Sequence, residues 1–117
     1  MKLGLVEAKE KGFSAKPLFM EFISEKYPSL SVASLGVPQQ ENLALGARKL
    51  FRNGCDAIFV VYVKGKHEQV LFEALQRVEL ETGAYLYYCG IEDADLRSQK
   101  AFEKAVVEVF DSKAALL

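Results

Sequence analysis

One run of seven apolar residues, Ala57-Ile58-Phe59-Val60-Val61-Tyr62-Val63, constrains this chain more than any other stretch. Its residues are β-branched and aromatic and show no polar alternation, so a strand built from them must be covered on both faces. Such a strand belongs inside a parallel sheet with helices above and below. The run is also far short of the ~20 apolar residues that a membrane-spanning helix needs, so no membrane partner is expected.

The segments around it alternate in kind. Leu3, Leu5 and Val6 form a short buried strand ending near Glu7. Ser14 then caps a helix whose early Pro17 is tolerated in a first turn, with Leu18, Phe19, Phe22, Ile23 and Tyr27 on its apolar face and Pro28 ending it. Ser31 to Val37 is a second strand broken by Pro38, and Asn42 to Phe51 returns to helical spacing through Leu43, Ala47, Leu50 and Phe51. Asn53-Gly54 stops that helix. After the central run, Glu68 to Thr82 carries Val70, Leu71, Ala74, Leu75 and Val78 on one side and halts at Gly83. Ala84 to Ile91 is another unbroken apolar run. Asp93 or Asp95 caps a last helix with Phe102, Ala105, Val106, Val109 and Phe110 inward.

Four strands alternating with four helices imply crossover connections and a four-stranded parallel sheet in a three-layer α/β/α sandwich. The 117 residues suit one domain, residues 1–117, large enough to need neither metal nor disulfide for its core. Fifteen basic against sixteen acidic side chains leave a formal charge of -1, which gives no electrostatic drive toward nucleic acid. Cys55 and Cys89 form no Cys-x-x-Cys pair and read as small buried hydrophobes. The opening Lys2-Leu3-Gly4-Leu5-Val6-Glu7 is too soon interrupted by charge for an export signal, so a cytoplasmic location is expected.

In an open parallel sheet, ligands bind beyond the carboxyl ends of the strands. Four loops therefore matter: Glu7 to Phe13, Pro38 to Asn42, Lys64 to Glu68, and Glu92 to Arg97. They contain neither G-x-G-x-x-G nor G-x-x-x-x-G-K-[ST], so no nucleotide cofactor is expected. A phosphoacceptor receiver would end its third strand on an aspartate, where this chain has Tyr62-Val63-Lys64. A flavodoxin-type phosphate loop would be rich in Ser, Thr and Gly, where this chain has Ala8-Lys9-Glu10-Lys11-Gly12.

His67, the only histidine, stands at the third strand-to-helix corner, where an imidazole serves as acid or base near neutral pH or is simply a solvated loop residue. Glu92, Asp93 and Asp95 offer oxygen ligands for a divalent cation, or a charged helix cap. Arg97 pairs with these acids or with an anionic ligand. Gln39, Gln40 and Asn42 place amide side chains at a helix start, which suits a polyhydroxyl chain, an anion, or an ordinary cap. Tyr85, Tyr87 and Tyr88 alternate on the fourth strand and suit core packing and a subunit contact.

The order of these loops resembles the archaeal-type riboflavin synthases, which share the lumazine synthase fold. The similarity lies in Gly4-Leu5-Val6-Glu7, in Val37-Pro38 with Leu43, in Ala47-Arg48-Lys49-Leu50, in Gly54-Cys55-Asp56, in Gly65-Lys66 and in Glu92-Asp93. Together they span roughly four fifths of the chain, with agreeing spacing. The resemblance implies a flavodoxin-like, lumazine synthase-like domain and a homopentamer with active sites between neighbours. It implies a reaction in which two molecules of 6,7-dimethyl-8-ribityllumazine exchange a four-carbon unit, giving riboflavin and 5-amino-6-ribitylaminouracil.

On that reading the turn after Val37 and Pro38, with Gln39, Gln40 and Asn42, holds a ribityl chain or ring carbonyl. Lys66, His67 or Glu68 moves a proton at the reacting methyl group, Arg97 meets an anionic group, and Glu92 with Asp93 binds Mg²⁺ or orients a partner group. The chain departs from the family at three places. Gln39 replaces a glycine, Ala44 replaces a second proline, and Glu10 stands where an aromatic residue is expected, leaving Phe13 as its substitute. The chain also stops at Leu117, short of the longer tail usual in the synthases. The alternatives are a lumazine synthase, whose Gly-x-Thr-x-His corner becomes Gly65-Lys66-His67 here, and a non-catalytic flavin- or lumazine-binding or assembly protein.

Overall fold

The computed structural model describes residues 2–9, 14–65, 68–94 and 98–114, with the backbone alone for residues 99, 102 and 109–114. In chain order its elements are β1 (Lys2–Ala8), α1 (Lys16–Lys26), β2 (Ser31–Val37), a single 3₁₀ turn (Gln40–Asn42), α2 (Leu43–Arg52), β3 (Ala57–Val63), α3 (Glu68–Thr82), β4 (Tyr85–Ile91) and α4 (Gln99–Ala114). The strands pair in parallel in the order β2-β1-β3-β4, the flavodoxin-like order. β3 lies inside the sheet, and all its residues except Val63 are buried, as its unbroken apolar run requires.

Successive side chains on a strand point to opposite faces, so each strand feeds two cores. Val6 and Ala8 of β1, with Ile58, Val60 and Tyr62 of β3, pack under α2 and α3 against Leu43, Leu50, Leu71 and Leu75. Leu3 and Leu5 of β1, with Phe59 and Val61 of β3, face α1 and α4 and meet Phe19, Ile23 and Val106. There the Phe59 ring contacts Phe19 edge-on at 5.1 Å and tilts against Tyr87 at 5.1 Å. Burying each large apolar side chain stabilises the fold by roughly 1.5–3 kcal/mol. α2 approaches the sheet closely enough that a Cβ on Gly46 would lie 2.7 Å from Val6 Cγ2 and 2.8 Å from Val37 Cγ1. Gly83, at φ +72, ends α3 in the left-handed region, as a helix stop requires.

Five sequence expectations are corrected. Ser14 shares the capping of α1 with Glu7: the N-cap position is Ala15, Ser14 Oγ accepts the Lys16 N–H at 3.3 Å, and the Ser14 hydroxyl donates to Glu7. Asn42 lies in the 3₁₀ turn, and α2 begins after it. Asp93 does not cap α4, because it sits with Ala94 in a separate turn before the helix, and Ser98 Oγ accepts the Ala101 N–H at 3.3 Å instead. Val70 is 67% exposed, since the buried stripe of α3 runs through Leu71, Leu75 and Val78. β4 is an edge strand rather than one covered throughout, and Tyr85 on it is 68% exposed. Asp95 and the side chains of Phe102, Val109 and Phe110 lie outside the described residues. No helix among the described residues is long and apolar enough to cross a membrane.

Candidate functional site

The parallel sheet brings four strand-to-helix junctions to its carboxyl edge. At the first, the odd-numbered residues of β1 face α1, which places the Glu7 side chain at the start of that helix. The first N–H groups of a helix lack partners within it. Glu7 supplies one: its Oε2 accepts the Ala15 N–H at 2.6 Å, and its Oε1 accepts the Ser14 hydroxyl at 2.6 Å. Among the described residues Glu7 is the one charged side chain that is buried. Beside it the Lys9 N–H donates to the Val37 carbonyl at 2.8 Å, and the Lys9 side chain lies over Gly36. Glu10 and Phe13 lie outside the described residues.

At the second junction Pro38 and Gln39 are exposed and Asn42 is half-buried. Asn42 Oδ1 accepts the Gln39 N–H at 3.2 Å, and the Asn42 N–H returns to the Gln39 carbonyl at 3.0 Å, which fixes the turn. Val37 is not available to a ligand through its side chain. It faces α2 with Ala33 and Leu35 and is buried in the core. Gln40 is not the exposed loop residue that its sequence setting suggests: it is half-buried, and its Oε1 accepts the Val63 N–H at 3.1 Å. β1 and β3 pair only as far as Glu7 and Val61, so this side-chain amide completes the edge of β3 where β1 no longer reaches.

The third junction follows β3. Lys66 and His67 lie outside the described residues; Glu68 opens α3, its N–H donating to the Gly65 carbonyl at 3.2 Å. The buried Tyr62 lies close enough to the Glu68 carboxylate to feel its charge, and its ring stands edge-on to Phe72 at 5.3 Å. The phenol occupies the space that a side chain on Gly90 would take, since a Cβ there would lie 2.6 Å from Tyr62 Oη. Burial first, and the nearby Glu68 second, push the Tyr62 phenol up to about 12. Further along, Tyr88 donates to Glu79 and meets Phe72 at 5.6 Å; its phenol too is raised, chiefly by burial.

At the fourth junction Glu92 and Asp93 are exposed. Glu92 Oε1 lies 3.4 Å from Lys64 Nζ, an exposed ion pair of the kind that contributes little to stability. It does bring the β3 and β4 loops together, as does the Lys64 N–H donating to the Ile91 carbonyl at 2.9 Å. Among the described residues no three His, Cys, Asp or Glu side chains gather as a metal site would require, and Glu92 is engaged by a lysine. Arg97 lies outside the described residues. Cys55 and Cys89 are free, buried thiols. Burial raises both, Cys89 to about 12, which leaves them protonated and unreactive at neutral pH.

The candidates thus separate. Gln40 joins the β3 mouth, Glu68 opens α3, Glu92 meets Lys64, and Val37 withdraws into the core. Sequence reasoning missed Tyr62 and Gly90 as a pair, and missed Glu7 as a helix partner. The signal for the latter was a carboxylate at the end of an otherwise apolar strand.

No family model and no curated protein matches the chain. Among solved structures, a solution structure described as a phosphate-loop protein aligns with 98% of this chain and 94% of its own, at a TM-score of 0.53 and 19% identity. That likeness is one of fold.

Proposed function

We propose that the protein is a riboflavin synthase-type enzyme that dismutates 6,7-dimethyl-8-ribityllumazine to riboflavin and 5-amino-6-ribitylaminouracil. Its site is shared between subunits of a homo-oligomer, a pentamer, in the cytoplasm. The observation that carries this reading is the hydrogen bond from the Val63 N–H to Gln40 Oε1, 3.1 Å long. It fastens the loop after Val37-Pro38 to the corner that holds Gly65, so two stretches of the family resemblance share one edge. The Lys64 and Glu92 pair draws in a third.

Such chemistry asks a protein chiefly to hold two heterocycles in register, because orienting a bimolecular pair removes much of the barrier. Gln39 and Asn42, on the fixed turn, receive the ribityl hydroxyls, with Gln40 setting the position of that turn. The residues at the start of α3 handle the proton of the reacting methyl group.

The second reading is a non-catalytic lumazine- or flavin-binding protein. Gln39 favours it, since a side chain there takes space that a glycine would leave for close backbone approach. Incubation of the purified protein with the lumazine, with and without Mg²⁺ and against a protein-free control, separates the two. Protein-dependent riboflavin with an equal amount of the pyrimidine supports the enzyme. Ligand fluorescence quenching without product supports the binder, and neither signal refutes both. A monomer by light scattering at micromolar concentration refutes the shared site.

A further inference from the structure

We propose that Asn53 is a site of spontaneous deamidation, and that the turn ending α2 is the gate that sets its rate. The inference stands apart from the enzymatic reading above. Asn53 and Gly54 are both exposed, and Gly54 adopts φ +93 where a Cβ would meet nothing within 4 Å. No side chain on Gly54 therefore shields its nitrogen, the nucleophile that closes a succinimide ring on Asn53 Cγ. The chain's other asparagine, Asn42, is followed by Leu43, whose branched, buried side chain crowds the equivalent nitrogen. Asn42 Oδ1 also accepts the Gln39 N–H at 3.2 Å, which holds that amide in place.

Water is the only co-reactant. The Gly54 nitrogen gives its proton to solvent base and bonds to Asn53 Cγ; the Cγ–Nδ2 bond breaks and the amide nitrogen leaves as ammonia. Water then opens the succinimide at one carbonyl or the other, yielding aspartate or an isoaspartate whose chain runs through the side chain. No atom is oxidised or reduced. In the closed turn the nucleophile is engaged elsewhere, because the Gly54 N–H donates to the Phe51 carbonyl at 3.0 Å. Around it the Asn53 N–H donates to the Lys49 carbonyl and the Cys55 N–H to the Leu50 carbonyl, each at 3.1 Å. β1 adds a clamp: Lys2 Nζ donates to the Asn53 carbonyl at 2.9 Å, and the Lys2 N–H and carbonyl bond Asp56 at 3.1 and 2.9 Å. Ring closure waits for this turn to release. A helix end at the surface opens for far less free energy than the core, so the site is slowed rather than sealed.

The test incubates the full chain at mildly alkaline pH, in buffer and in unfolding urea, and follows each asparagine by peptide mass spectrometry. Labelling with an isoaspartyl methyltransferase marks the rearranged product. Asn53 should convert in both samples, about tenfold to a hundredfold more slowly in the folded chain, while Asn42 keeps its amide in the folded chain. Lys2→Met keeps the side-chain stem but removes the donor to the Asn53 carbonyl. Checked for folding by circular dichroism, it should convert several-fold faster than the unaltered chain in buffer and at the same rate in urea. An Asn53 that stays intact in buffer throughout a long incubation, while the urea sample converts, overturns the site. Equal rates in buffer and urea overturn the gate and leave the site standing. A folded Lys2→Met that converts no faster in buffer than the unaltered chain overturns the clamp from β1.

Discussion

The junctions at α1 and α3 use the same ingredients in opposite arrangements. At α1 the strand provides the carboxylate, Glu7, and the residues at the helix start provide the donors, Ser14 and Ala15. At α3 the helix provides the carboxylate, Glu68, and the strand provides a phenol beside it, Tyr62. Glu7 is 7% exposed and has both oxygens engaged at 2.6 Å. Glu68 stands half-buried at the rim. A carboxylate at a helix start is thus structural when the strand drives it inward, and available for chemistry when the helix carries it at the edge.

The most direct way to break this comparison is to remove each carboxylate and measure urea unfolding. Glu7→Ala should cost roughly 3–4 kcal/mol, because two bonds to a charged group vanish and a buried N–H is left without its partner. A loss below about 1 kcal/mol would mean that water replaces the carboxylate and that the α1 junction is open after all.

Alkaline pH sharpens the other side. The Tyr62 phenol ionises near 10 in an unfolded chain and near 12 in the folded one. Between those values the folded state keeps a proton that the unfolded state has lost. The contribution is therefore complete below about pH 10 and disappears as pH rises toward 12, roughly 2–3 kcal/mol in all. Tyr62→Phe should flatten that part of the stability profile; an unchanged slope would show that the phenol is not held as described.

Gly90→Ala should cost roughly 1–2 kcal/mol, since the new methyl group must displace a packed ring. An unchanged unfolding midpoint would show that Tyr62 moves freely away from β4. The smallest effect belongs to Glu68→Gln, which replaces a half-buried rim carboxylate by an amide of the same shape and should alter stability by less than ~0.5 kcal/mol. A larger loss would make Glu68 as structural as Glu7 and erase the contrast.

Most of the scaffold was legible from short-range pattern. β2, β3 and α3 begin and end at the residues that periodicity and glycine or proline punctuation indicate, because those signals act within a few positions. The failures share a cause in distance. The group that meets the start of α1 lies seven residues before Ser14, on a strand, so Ser14 alone looked sufficient. Val37 follows the rhythm of β2 into the core, although the resemblance to the synthases made it a ligand contact. The apolar run of β4 is the same on paper as that of β3, but only strand order decides which one has a neighbour on each side.

The candidate site was legible in its location and less so in its members. The rule that ligands gather at the carboxyl ends of parallel strands picks out the loops containing Gln40, Glu68 and Glu92. It says nothing about which side chain reaches which partner. Gly90 in particular has no local justification, and its reason is the ring of Tyr62 on the next strand. Gln40 has a local explanation, an amide near a helix start, that proves secondary to its bond with Val63.

That last bond makes the backbone of β3 a witness to a loop it does not belong to. The amide proton of Val63 is shielded by a side chain rather than by a neighbouring strand, so it meets solvent when the turn at Gln40 lifts away. Its deuterium uptake therefore clocks the departure of that turn. A ligand that clamps the loop would slow this clock while leaving the amides in the interior of β3 at their own pace.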